Sequence, residues 1–210
     1  MLALLALSPV TAGTVTGTIP LPPRPSGRIP VEKYTGTISG KVAAAPAPCA
    51  GVWIEGAGIR AGKPGPRMVL PQLGYQFARS LVVVPLGSAV EFPNEDNDYH
   101  NVFSLSRPRK FDAGRYKKNE APAPVVTFDK AGLVRVRCEI HDHMNAVVLV
   151  VDSPWSTVTD AAGKFTLTGV TPGSYTLRAQ LDEKTRWSAP VTVTSGAPAR
   201  VDFMKPDAAP

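Results

Sequence analysis

No long stretch of this chain carries the 3.6-residue apolar period of an amphipathic helix. Its apolar residues come instead in short runs rich in Val, Thr and aromatics, closed by Gly, Pro or Asp. These predict strands at residues 13–19, 34–42, 51–55, 81–85, 89–92, 100–105, 125–128, 133–138 and 146–151. A second group follows at 164–167, 174–177, 189–193 and 199–203, with turns at 160–163 and 172–173. The fold class that follows is all-β. Within residues 133–138 (LVRVRC), Val134, Val136 and Cys138 share one face, and Arg135 and Arg137 share the other. Since strand side chains alternate, the Cys138 sulfur is expected on the buried side.

The length of 210 residues allows one sizeable core or two small ones, and 22 Pro and 18 Gly fit strands joined by tight turns. Residues 1–12 (MLALLALSPVTA) read as the remnant of a signal peptide, with small residues at Val10 and Ala12 but no basic start; a hydrophobic first strand is the alternative. Residues 13–66 read as a Pro- and Gly-rich, strand-forming extension in which 43–48 (AAAPAP) is a connector. Residues 67–152 form a first domain, 153–204 a second β-sandwich, and 205–210 a disordered tail. Beyond the leader, no stretch reaches the roughly 18 apolar residues of a membrane span. A periplasmic or secreted location is the expectation.

The formal charge is +6, with cations scattered except in residues 107–118 (RPRKFDAGRYKK). In an exported chain such a segment points away from nucleic acid, leaving an acidic protein partner or a solvated loop. Cys49 and Cys138 are the two cysteines, and a disulfide between them is the ordinary expectation for an exported protein.

Residues 138–144 (CEIHDHM) set a thiolate, imidazoles and a thioether on one short loop, a soft and borderline donor set that suits copper better than magnesium or calcium. Either His141 or His143 can serve from this loop, and His100 is available to close a plane of two imidazoles and one thiolate, with Met144 as a weak axial ligand. Zinc also binds such sets, but thioether is a poor zinc donor. Four protein ligands leave no open position for substrate, and no nucleophile–base spacing, phosphate loop or carboxylate pair stands out. The expectation is therefore a carrier and not an enzyme.

With His100-Asn101 upstream and Cys138, His141 and Met144 on one loop, the chain resembles the cupredoxin family, most closely its plastocyanin-like and amicyanin-like members. The run 90–104 (VEFPNEDNDYHNVFS) matches that family's approach to the first histidine. The resemblance covers residues 72–152. It implies a Greek-key β-sandwich holding type 1 copper through His100, Cys138, His141 and Met144, with His143 off the metal near the surface and Asn101 tying down the thiolate loop. It also implies an exported one-electron carrier serving a redox protein partner; copper trafficking or scaffolding are the alternatives. Residues 159–175, with Asp160, Gly163, Pro172 and Gly173 at turns, resemble the carboxypeptidase regulatory-like, transthyretin-like modules. The whole architecture is similar to bacterial methylamine-utilisation-type proteins.

Overall fold

A computed structural model of the chain describes residues 11–26, 36, 38–120 and 122–208. Residues 1–10 of the expected leader lie outside them. The strands are β1 (Gly13–Thr18), β2 (Gly51–Glu55), β3 (Met68–Val69), β4 (Leu81–Pro85), β5 (Ala89–Glu91), β6 (His100–Ser106), β7 (Arg109–Tyr116) and β8 (Val125–Thr127). They continue with β9 (Gly132–Arg137), β10 (Asn145–Val151), β11 (Ser156–Val158), β12 (Lys164–Val170), β13 (Gly173–Gln180), β14 (Arg186–Val193) and β15 (Ala199–Asp202). No helix occurs among the described residues, so the fold is all-β.

The first sandwich faces a five-stranded sheet, β4-β10-β9-β6-β7, with a three-stranded one, β3-β5-β8. Phe77, Phe92, Val102, Phe128, Val136 and Val148 fill its core. On β9 the alternation is as read: Val134 and Val136 are buried, Arg137 is exposed, and Cys138 follows on the buried side. β4 (LVVVP) does not alternate because both its faces are covered. Val82 and Val84 enter the first core, while Leu81 and Val83 join Leu149 and Val151 in a cluster against Cys49, Trp53 and Val158. Each fully buried aliphatic in that seam contributes about 1.5–3 kcal/mol.

The second sandwich packs sheet β12-β1-β15 on sheet β11-β2-β13-β14. Residues 13–66 thus do not form an extension standing apart: β1 lies between β12 and β15, and β2 between β11 and β13. Val15, Ile19, Val52 and Ile54 are buried with Phe165, Leu177 and Trp187 in one core. Gly17 is required at this pairing, because a Cβ there would sit 1.7 Å from the carbonyl oxygen of Val201.

Three other expectations are corrected. Residues 107–118 are not a loop: most of them form β7, hairpin-paired with β6, and its exposed edge position weakened the apolar alternation. The described part of 34–42 holds no strand, since the amides of Ser39 and Gly40 bond the Tyr75 hydroxyl instead of a ladder. In the tail, Asp207 is anchored to β14 through the Arg186 carbonyl and the Ser188 hydroxyl.

Candidate metal centre

Two strand ends and one loop build the site. β6 opens with His100, and a bulge between Asn101 and Phe103 shifts its register against β7 at that point, a device that re-aims side chains. β9 ends at Arg137, and the chain turns through residues 138–144 into β10. The Met144 amide donates to the His141 carbonyl at 2.8 Å and the Cys138 amide to the Met144 carbonyl at 3.2 Å, closing the loop on itself. Asn101 ties it to the sheet: its Oδ1 accepts the Glu139 amide at 2.8 Å, and its Nδ2 donates to Asp112 on β7 at 2.7 Å.

The structure brings His100, Cys138 and His141 together. The two Nδ1 atoms are 3.1 Å apart, and the Cys138 Sγ lies 3.8 Å from the first and 3.7 Å from the second. Both imidazoles are wholly buried and Cys138 is 3% exposed. Ligands at about 2.0–2.3 Å from one first-row ion are spaced roughly 3–4 Å from each other, so these three donors have the separations of a common coordination shell. Met144 is wholly buried in the same core as Cys138. His143 lies near the surface, half-buried and outside the cluster, and its Nε2 donates to the Tyr75 carbonyl at 2.9 Å. Cys49 and Cys138 are both free thiols, with Cys49 Sγ 3.2 Å from the Ser80 hydroxyl and bonded to the Leu81 carbonyl.

The surrounding charges tune these groups. Burial pushes the Cys138 thiol up, but contacts from His100 and His141 and the backbone amides of Asn101 and His141 outweigh it and bring it down to about 6. For His100 burial opposes the charged form, yet Asp96 and the Cys138 sulfur raise it above the ordinary histidine value. Burial also pushes the Asp96 carboxyl up, and the His100 ring with the Tyr75 and Gly74 amides pulls it below the usual carboxylate range.

Two supporting residues have no signal in the sequence pattern. Asp96 Oδ2 lies 2.8 Å from His100 Nε2, and its carboxylate is held by the Gly74 and Tyr75 amides at 2.7 and 2.9 Å. The Tyr75 ring packs T-shaped against both imidazoles, with centroids 5.7 Å from His100 and 5.2 Å from His141. An acidic residue in the polar run before His100 is the nearest thing to a warning of Asp96; nothing marks Tyr75.

Among known families, the carboxypeptidase regulatory-like domain matches residues 143–204. That match starts inside the loop and takes in β10, but leaves out β1 and β2, which complete the second sandwich. No curated protein matches the chain. Among solved structures, it is similar to the Cu-containing nitrite reductase (NirK) of Thermus scotoductus SA-01, with 24% identity over 47% of this chain and a TM-score of 0.39. The chain spans 25% of that reductase. It is also similar to a reduced mutant of amicyanin, with 21% identity over 48% of this chain and 98% of that one, and a TM-score of 0.38.

Proposed function

We propose that this chain is an exported type 1 copper protein that carries single electrons between redox partners. The observation that carries this reading is the convergence of His100 Nδ1, His141 Nδ1 and Cys138 Sγ at 3.1–3.8 Å from one another in a buried pocket. Met144, from the same loop, is the proposed weak axial ligand. Two imidazoles, a thiolate and a thioether are the donor set of blue-copper electron transfer. Bound copper would supply a Cu(II)/Cu(I) couple in a shell the sandwich keeps rigid.

The chain's own residues prepare that shell. Cys138, brought down to about 6 by the imidazoles and amides around it, gives up its proton to a metal more readily than an ordinary thiol. Asp96, an ionised carboxylate, accepts a hydrogen bond from His100 Nε2–H, which leaves Nδ1 as the nitrogen that faces inward and would bind the metal. With four protein donors the reading is a carrier and not an enzyme. An acidic redox protein is the proposed partner, meeting the basic edge strand β7, which Asp112 and Asn101 connect to the thiolate loop. A periplasmic or extracellular location fits the leader-like residues 1–12. Among the described residues no helix is long and apolar enough to cross a membrane.

Adding Cu(II) to the metal-free protein is expected to produce an intense visible thiolate-to-copper band, one copper per chain and a reversible midpoint potential. A protein that stays colourless with copper yet takes up zinc overturns the copper reading. A coloured protein with no reversible couple overturns the carrier reading and leaves trafficking.

A further inference from the structure

Tyr75 is where the supports of the cluster meet. Its φ of 57° is left-handed, a conformation that costs a side-chain-bearing residue about 1–2 kcal/mol. The other such residue among those described is Asn119, a type that tolerates the region; a buried tyrosine does not. Strain of this kind persists where the surroundings over-determine it, and it gathers at functional centres.

Every part of Tyr75 is held. Its amide donates to Asp96 Oδ2 at 2.9 Å, the same oxygen that meets His100 Nε2. Its carbonyl accepts from His143 Nε2 at 2.9 Å, two residues beyond His141. Its hydroxyl bonds Asp98 and takes the Ser39 and Gly40 amides at 3.0 Å each. Its ring makes T-shaped contacts with both imidazoles, whose Nδ1 atoms face each other at 3.1 Å. A ring packed against both limits their rotation about χ2, beside the hold that Asp96 has on His100.

We infer that Tyr75 is a positioning residue that holds His100 and His141 in their inward, metal-accepting orientation before any metal arrives. This rests on the copper reading for its purpose, but not for its test. A tyrosine serving packing alone would alter stability when replaced and leave the imidazoles and the metal spectrum as they were.

The test compares full-length Tyr75→Gly and Tyr75→Phe with the wild type. Glycine adopts the left-handed backbone without strain and removes the ring, while phenylalanine keeps the ring and loses the hydroxyl ties. In the metal-free protein, the ring resonances of His100 and His141 are expected to be sharp in the wild type and Tyr75→Phe, and exchange-broadened in Tyr75→Gly. On adding Cu(II), Tyr75→Gly is expected to bind about 10–100-fold more weakly, with a shifted visible band and altered spin-resonance signal. Tyr75→Phe keeps the wild-type spectrum. Wild-type resonances and spectrum in Tyr75→Gly overturn the inference; if that variant does not fold, Tyr75→Leu is judged by the same criteria. A wild-type protein that gives no copper band overturns the metal reading, and the metal-free resonances still decide the role of Tyr75.

Discussion

Asp96 Oδ2 stands 2.8 Å from the buried Nε2 of His100, so that outer nitrogen donates to the carboxylate while Nδ1 faces the Cys138 sulfur at 3.8 Å. A carboxylate behind a ligand imidazole fixes its tautomer and strengthens it as a donor.

Asp96→Asn replaces this acceptor with a neutral amide. Copper affinity is expected to fall about 10–100-fold, read by competition titration. Removing an anion beside the site disfavours Cu(II) relative to Cu(I), so the midpoint potential is expected to rise; an unchanged potential contradicts this role.

Cys138 is brought down to about 6 from an ordinary value of 9.0. A group whose folded value is depressed stabilises the fold above its unfolded value and loses that contribution as pH falls through its folded value. Metal-free wild type should therefore gain stability over Cys138→Ser between about pH 6 and 9, by on the order of a few kcal/mol. Denaturant unfolding of both proteins across that range checks it. His100, raised above its ordinary value, contributes in the opposite sense: its share is complete below its unfolded value and fades as pH rises through the folded one. That share does not cancel in the comparison, because the Cys138 sulfur is one cause of the raised value of His100, and its fading in the wild type offsets part of the gain.

Asn101→Ala removes the acceptor of the Glu139 amide and the donor to Asp112. Leaving a partly buried amide unpaired is expected to cost about 1–3 kcal/mol by urea unfolding. The looser loop is also expected to release copper faster to a chelator; a wild-type release rate denies Asn101 its tie on the thiolate loop.

Gly17→Ala tests the pairing of β1 with β15. The added Cβ would lie 1.7 Å from a backbone oxygen, so the strands must separate. A loss of about 3 kcal/mol is expected, and a neutral result by thermal unfolding contradicts the central placement of β1.

The parts of the site that were legible in the sequence are those carried by local pattern. Alternation in residues 133–138 put Cys138 inward, and the closeness of His141 to it needs only one loop. Asp96 and Tyr75 were not legible, because their roles depend on which distant strand ends the topology brings beside His100. The same holds for β1 and β2: their alternation marked them as strands, but nothing local says that their partners are β12, β13 and β15. On β7, Phe111 and Ala113 alternate with charged and polar neighbours that stay exposed at a sheet edge, so the pattern is diluted by cations.

The parallel pairing of Val15 with Ala199 and of Thr18 with Asp202 has a kinetic consequence. The loop it closes is nearly as long as the chain, and closure entropy of that kind slows folding more than it weakens the finished structure. The strands of the first sandwich all lie between residues 68 and 151, so its contacts form across shorter loops. The order this favours is one in which His100, Cys138 and His141 come together while β1 is still unpaired, and the second sandwich closes last.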